Sequence, residues 1–189
     1  MESQTKTEII VPPPPRSKPN YFKIDFLLRL LTFVATLVGI IVELTGKQTE
    51  VVGITLTGIP VRRSAKYNDT SAFIYLLTAL VVTCFYTTIT LCVSIANIKR
   101  PSPATIVLFH LAIFDVLMVG LMATAVGASG GVAYIGAYGN SKANWRKICD
   151  IYDSYCRHNV GVLVLSVSAT INLLILVIVS IYSLKRRCD

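Results

Sequence analysis

Residues 104–126 read ATIVLFHLAIFDVLMVGLMATAV, and this stretch decides the class of the chain. At roughly 1.5 Å per residue it makes a helix of about 34 Å, enough to cross the ~30 Å hydrocarbon core of a bilayer. One acid, Asp115, sits in its middle between Phe114, Val116 and Leu117. A carboxylate there costs roughly 3 kcal/mol and its side chain is too short to reach the headgroups, so it needs a partner inside the protein.

Working outward, three further apolar runs of similar length cover residues 24–44, 72–96 and 160–184. The fold class is therefore all-α, an integral membrane four-helix bundle. With 53% hydrophobic residues and a mean hydropathy of +0.64, the 189-residue chain has no room for a separate soluble catalytic domain. Residues 1–23 mix charge with Pro12 to Pro15 and Pro19 and read as a disordered tail with extended polyproline character. Residues 24–184 form the four-span domain, and residues 185–189 form a short basic tail.

Four spans put both termini on one side. The termini and the 97–103 connection hold nine Lys or Arg in about 35 residues, against eight in about 48 for the 45–71 and 139–159 loops, so the density of positive charge favours cytosolic termini. The net charge of +8 is scattered over every polar segment and forms no basic stripe interleaved with stacking aromatics, which argues against nucleic acid and for lipid headgroups.

Cys149 and Cys156 share the second loop. An oxidising exterior would let them close a small disulfide; the competing reading is two free thiols. A metal site there would draw on His158, Asp150 and Asp153, too few ligands for zinc, so neither metal nor cofactor is expected. Asn68 opens a glycosylation sequon, although its closeness to the next span argues against occupancy. Cys188 follows Lys185 to Arg187 in the juxtamembrane setting of palmitoylation. The β-branched stretch from Val51 to Ile59 suggests a short strand or hairpin in the first external loop.

Inside the bilayer, Arg29 lies about 8 Å beyond Ile24 and Asp115 about 14 Å beyond Ile106, a difference that an extended arginine bridges. Arg29 alone could snorkel or pair with Asp25 one turn earlier, but the need of Asp115 favours an intramembrane pair, with His110 and Asn172 as supporting polar groups. Glu43, at the external end of the first span, reads as solvated at the interface. Ala123, Gly127 and Gly131 repeat every four residues, and Ser166 with Thr170 does so in the last span, marking helix contacts. No CxxC, HExxH or GxSxG motif appears, so no enzyme is expected.

The opening Asp25-Phe-Leu-Leu-Arg29-Leu-Leu, Lys66-Tyr67 before Ser71-Ala72-Phe73, Asp115, and Asn144-Trp145-Arg146-Lys147-Ile148-Cys149 with Cys156 together resemble the plant Casparian strip membrane domain protein-like family, distant relatives of the MARVEL four-span proteins. The resemblance implies that Arg29 and Asp115 are the characteristic intramembrane charges and Cys149 and Cys156 the second-loop cysteines. The first loop departs from the strip-forming members, whose acidic, proline- and phenylalanine-rich stretch is replaced here by residues 53–63. The resemblance further implies a multi-pass plasma-membrane scaffold, a homo-oligomer that also joins related four-span proteins and positions wall-modifying enzymes. The alternative is a small channel or proton-coupled transporter that uses the Arg29 and Asp115 charges.

Overall fold

The computed structural model describes residues 21–54, 59–98 and 105–188. The run Pro12 to Pro15, Lys99, Arg100 and the side chain of Cys188 lie outside that description. In chain order the elements are α1 (Tyr21–Thr45), β1 (Gln48–Ile54), β2 (Pro60–Ala65), α2 (Ser71–Ile98), α3 (Thr105–Tyr138) and α4 (Asp153–Cys188). All four helices are long and apolar enough to span a membrane. Each packs against two neighbours, α1 and α3 both lying between α2 and α4, so that α1 and α3 face each other across the bundle diagonal. Below, the end carrying the two longer loops is the loop end, and the other is the termini end.

The outside of the bundle is apolar, and its inside combines an apolar core with a polar seam. On α1, Arg29, Thr32, Thr36, Gly39 and Glu43 point inward while Leu27, Leu31, Val34, Val38 and Ile41 face outward. Lipid chains solvate the outer row, whereas the inner hydroxyls need internal acceptors, which they find one turn back. Thr36 Oγ1 donates to the Thr32 carbonyl at 2.9 Å, and Thr87 Oγ1 to that of Thr83 at 2.9 Å. Leu76, Leu80, Met122, Val162, Leu173 and Leu176 form the apolar core beside this seam. Thr83 Oγ1 and both carboxylate oxygens of Glu43 are buried without a hydrogen-bond partner among the described residues.

All four helices outrun their apolar runs, α1 starting at Tyr21 inside the segment read as a tail, and two do so by seven residues or more. α3 continues twelve residues past Val126, to Tyr138, and α4 starts seven residues before Val160. Ser129 Oγ donates to the Ala72 carbonyl at 3.0 Å, which puts Ser129 level with the start of α2. From there α3 rises a further nine residues, about 13 Å, alongside the first turns of α4. Gly139 ends it in the left-handed conformation, φ +71°, donating to the Ile135 carbonyl at 2.7 Å.

Two sequence expectations are corrected. Ala123, Gly127 and Gly131 are exposed, and a Cβ on Gly127 or Gly131 would meet nothing within 4 Å. The inward row is instead Asp115, Met122 and Ser129, spaced by seven; Ala123 lies about 80° round the helix from it and Gly131 about 160°. Glu43 is 2% exposed rather than solvated. It lies on the same inner row as Arg29, and the additional turns of α4 close over this end, where a Cβ on Gly46 would stand 3.4 Å from that of His158.

The first-loop β-element is an antiparallel hairpin, paired from Gln48 with Ala65 to Ile54 with Pro60 and bulged between Val51 and Gly53. It is fastened to the second loop. Tyr152 Oη donates to the Arg63 carbonyl at 3.1 Å, and Gln48 Oε1 accepts from the Tyr155 N–H at 2.8 Å, capping the open first turn of α4.

Candidate functional site

Asp25 and Arg29 stand four residues apart on α1, and Arg29 Nε donates to both Asp25 oxygens at 3.2 Å. From there the guanidinium reaches across the bundle. Its Nη1 donates to Asp115 Oδ1 at 3.3 Å and Nη2 to Oδ2 at 3.0 Å, a two-pronged match of a planar cation to a planar anion. Arg29 is 1% exposed and Asp115 is fully buried. α2 completes the network, with Tyr86 Oη donating to Asp115 Oδ1 at 2.6 Å and Ser94 Oγ to Asp25 Oδ2 at 2.9 Å. Three helices thus meet at one guanidinium held between two carboxylates. The half-buried Asp25 extends the cluster toward the termini end.

The supporting pair His110 and Asn172 stands elsewhere. The exposed His110 ring lies 2.8 Å from the Ile106 carbonyl. Five residues before Asp115 is about 140° round the helix, so His110 points away from the bundle axis. Asn172 is half-buried on α4, while the bonded partners of both charges come from α1, α2 and α3. Tyr86 and Ser94 were the residues missed by sequence reading. The available signal was a tyrosine in the middle of an apolar span, whose hydroxyl needs a partner when buried.

At the loop end Cys149 and Cys156 form a disulfide, with Cα atoms 5.7 Å apart. Asn68 sits exposed in a 3-10 turn, Tyr67–Asp69, just before α2. The His158 ring is 2.7 Å from the Ser154 carbonyl. The cluster around Arg29 therefore holds charges in place by hydrogen bonding, and the loop end is braced covalently.

The Casparian strip membrane protein domain matches residues 19–172. CASP-like protein 1D1 of Musa acuminata is 46% identical over 94% of this chain and 92% of its own length. The protein of that name in Arabidopsis thaliana is 43% identical over 85% of this chain and 83% of its own, and CASP-like protein 1D2 of the same plant is 42% identical over 90% and 86%. No solved structure matches the chain. A match that contains Arg29, Asp115, Tyr86 and both bridged cysteines, together with relatives aligned over most of their lengths, identifies the chain as a member of the Casparian strip membrane protein domain family.

Proposed function

We propose that this chain is a non-enzymatic scaffold of the plasma membrane, with cytosolic termini, that associates with itself and with related four-span proteins and positions wall-modifying machinery. The observation that carries this reading is the outward face of α3. Gly120, Ala123, Gly127 and Gly131 are exposed there, and α3 is the least buried of the four spans, at 22% against 28–39%. Small residues let two helix backbones approach closely in lipid, where packing and not water exclusion drives association. The intramembrane charges meanwhile find partners within one copy, so they support the shape of the protomer and leave its outer face for contact. The test is fluorescence recovery of a tagged copy at the cell surface, wild type beside Gly127→Leu. Slow recovery that becomes fast in the variant supports the scaffold; equally fast recovery of both overturns it.

A second reading, a proton-coupled carrier or small channel, is favoured by one observation. The α1 and α2 seam carries Glu43 at the loop end and Thr83 in mid-span, both with oxygens unpartnered among the described residues, and the Arg29 cluster beyond them toward the termini end. Proton flux in liposomes that disappears in both Glu43→Gln and Asp115→Asn would establish that reading, whereas tight liposomes would exclude it.

A further inference from the structure

The stretch where α3 and α4 rise above the start of α2 borders a half-open cavity of about 360 Å³. Phe73 of α2, Ala133 and Gly136 of α3, and Tyr155 and Val160 of α4 line it, and the Cys149–Cys156 disulfide forms part of its wall. The volume lies at the lower end of the roughly 300–1,000 Å³ typical of small-molecule sites. Its lining is overwhelmingly apolar, so water inside finds few hydrogen-bond partners and an apolar occupant displaces it at little cost. A Cβ on Gly136 would meet nothing within 4 Å, so the void reaches the α3 backbone.

Its position identifies the occupant. Val160 on the rim is the first of an outward row, Val160, Val164, Val167 and Ile171, which is the lipid-facing surface of α4. The cavity therefore continues the face along which lipid chains lie, at the depth where the hydrocarbon core gives way to headgroups. Arg157 stands at the same rim, three residues before Val160. Its side chain is 79% exposed, and its contact with Asp153 on the same helix is long, 3.7 Å, a pairing of a kind that contributes little and leaves the cation available to an anion.

We propose that this cavity is a lipid site, in which one acyl chain of an anionic bilayer phospholipid lies between α2, α3 and α4 while its phosphate meets Arg157. A chain held against Gly136 and the disulfide joins the raised ends of α3 and α4 to the start of α2, supporting the loop end from the membrane side.

The test uses the full chain in nanodiscs of phosphatidylglycerol and phosphatidylcholine in equal parts, released for native mass spectrometry. Wild type is expected to retain one phospholipid, with phosphatidylglycerol favoured about fivefold, the factor that one cation contributes near an anionic surface. Gly136→Leu and Ala133→Leu, which fill the void, are expected to lose it, while Gly161→Leu on the outer face of α4 keeps it. Arg157→Gln is expected to keep the lipid and lose the headgroup preference. Closure of the Cys149–Cys156 disulfide in each variant reports that the loop end has folded. An empty wild type, retention by both correctly folded filling variants, or recovery of a free fatty acid in place of phospholipid overturns the lipid site. A preference that survives Arg157→Gln overturns the role of Arg157.

Discussion

Removing the Asp115 carboxylate leaves a guanidinium that is 1% exposed with Asp25 as its remaining carboxylate, and removing Arg29 leaves two acids whose remaining side-chain partners are the hydroxyls of the half-buried Tyr86 and of Ser94. Breaking one partner of a buried pair typically costs about 3–5 kcal/mol, far more than the pair itself contributes over an apolar substitute. Asp115→Ala and Arg29→Ala should therefore each lower stability in detergent by that amount, and Arg29→Ala combined with Asp115→Ala should lose clearly less than their sum. Strictly additive losses across the cycle, read from denaturant midpoints, would mean that the 3.0 Å contact carries no coupling. The same residues mark how far the site was legible. The pairing of Arg29 with Asp115 follows from cost, because a mid-span acid without an exit needs a cation. The contribution of Tyr86 depends on how α2 is rotated against α3, which no single helix encodes. The position of His110, by contrast, is legible in the sequence, since helical angle alone turns it away from Asp115.

Among the elements, the four spans were readable because ~20 apolar residues leave a helix little alternative in lipid, yet the ends of α3 and α4 were not. Residues 127–138 are rich in glycine, which by propensity frays a helix, and they are held by contact with α4 and by Ser129 on the Ala72 carbonyl. That is tertiary information. The stop signal was local, a glycine at 139, and its reason is geometric: at φ +71° a side chain is strained, and a Cβ would come within 2.9 Å of the Trp145 carbonyl oxygen. Gly139→Ala should thus cost about 1–2 kcal/mol from backbone conformation alone, with the clash added, and should loosen the return of the chain to the paired Asn140 and Trp145. The measurement is the fraction of Cys149–Cys156 bridged at a fixed thiol concentration, expected to fall in the variant. An unchanged fraction would separate the disulfide from the α3 terminus.

For the molecule as a whole, the sided chemistry of the two ends makes orientation testable. The described loop end carries a disulfide, and one cannot persist in the reducing cytosol, whereas the nine basic residues of the termini and the 97–103 connection are the denser positive set. Both arguments favour the proposed orientation, with the loop end outside, and they are independent, one resting on redox poise and the other on charge. The remaining described free thiols are placed to separate the outcomes. Cys84 is half-buried and Cys92, although exposed, lies toward the termini end of α2, so in the proposed orientation neither meets an aqueous reagent applied at the loop end. In a Cys188→Ser background, which removes the thiol at the C-terminal end, a membrane-impermeant maleimide applied to intact cells should therefore leave the chain unlabelled until a reductant is added, then label Cys149 and Cys156, a gain abolished by Cys149→Ser with Cys156→Ser. Labelling that requires permeabilised cells would reverse the orientation, and with it the side on which the hairpin and the raised α3 and α4 ends could meet a partner. Labelling without reductant would mean that the bridge within the second loop is open in the membrane.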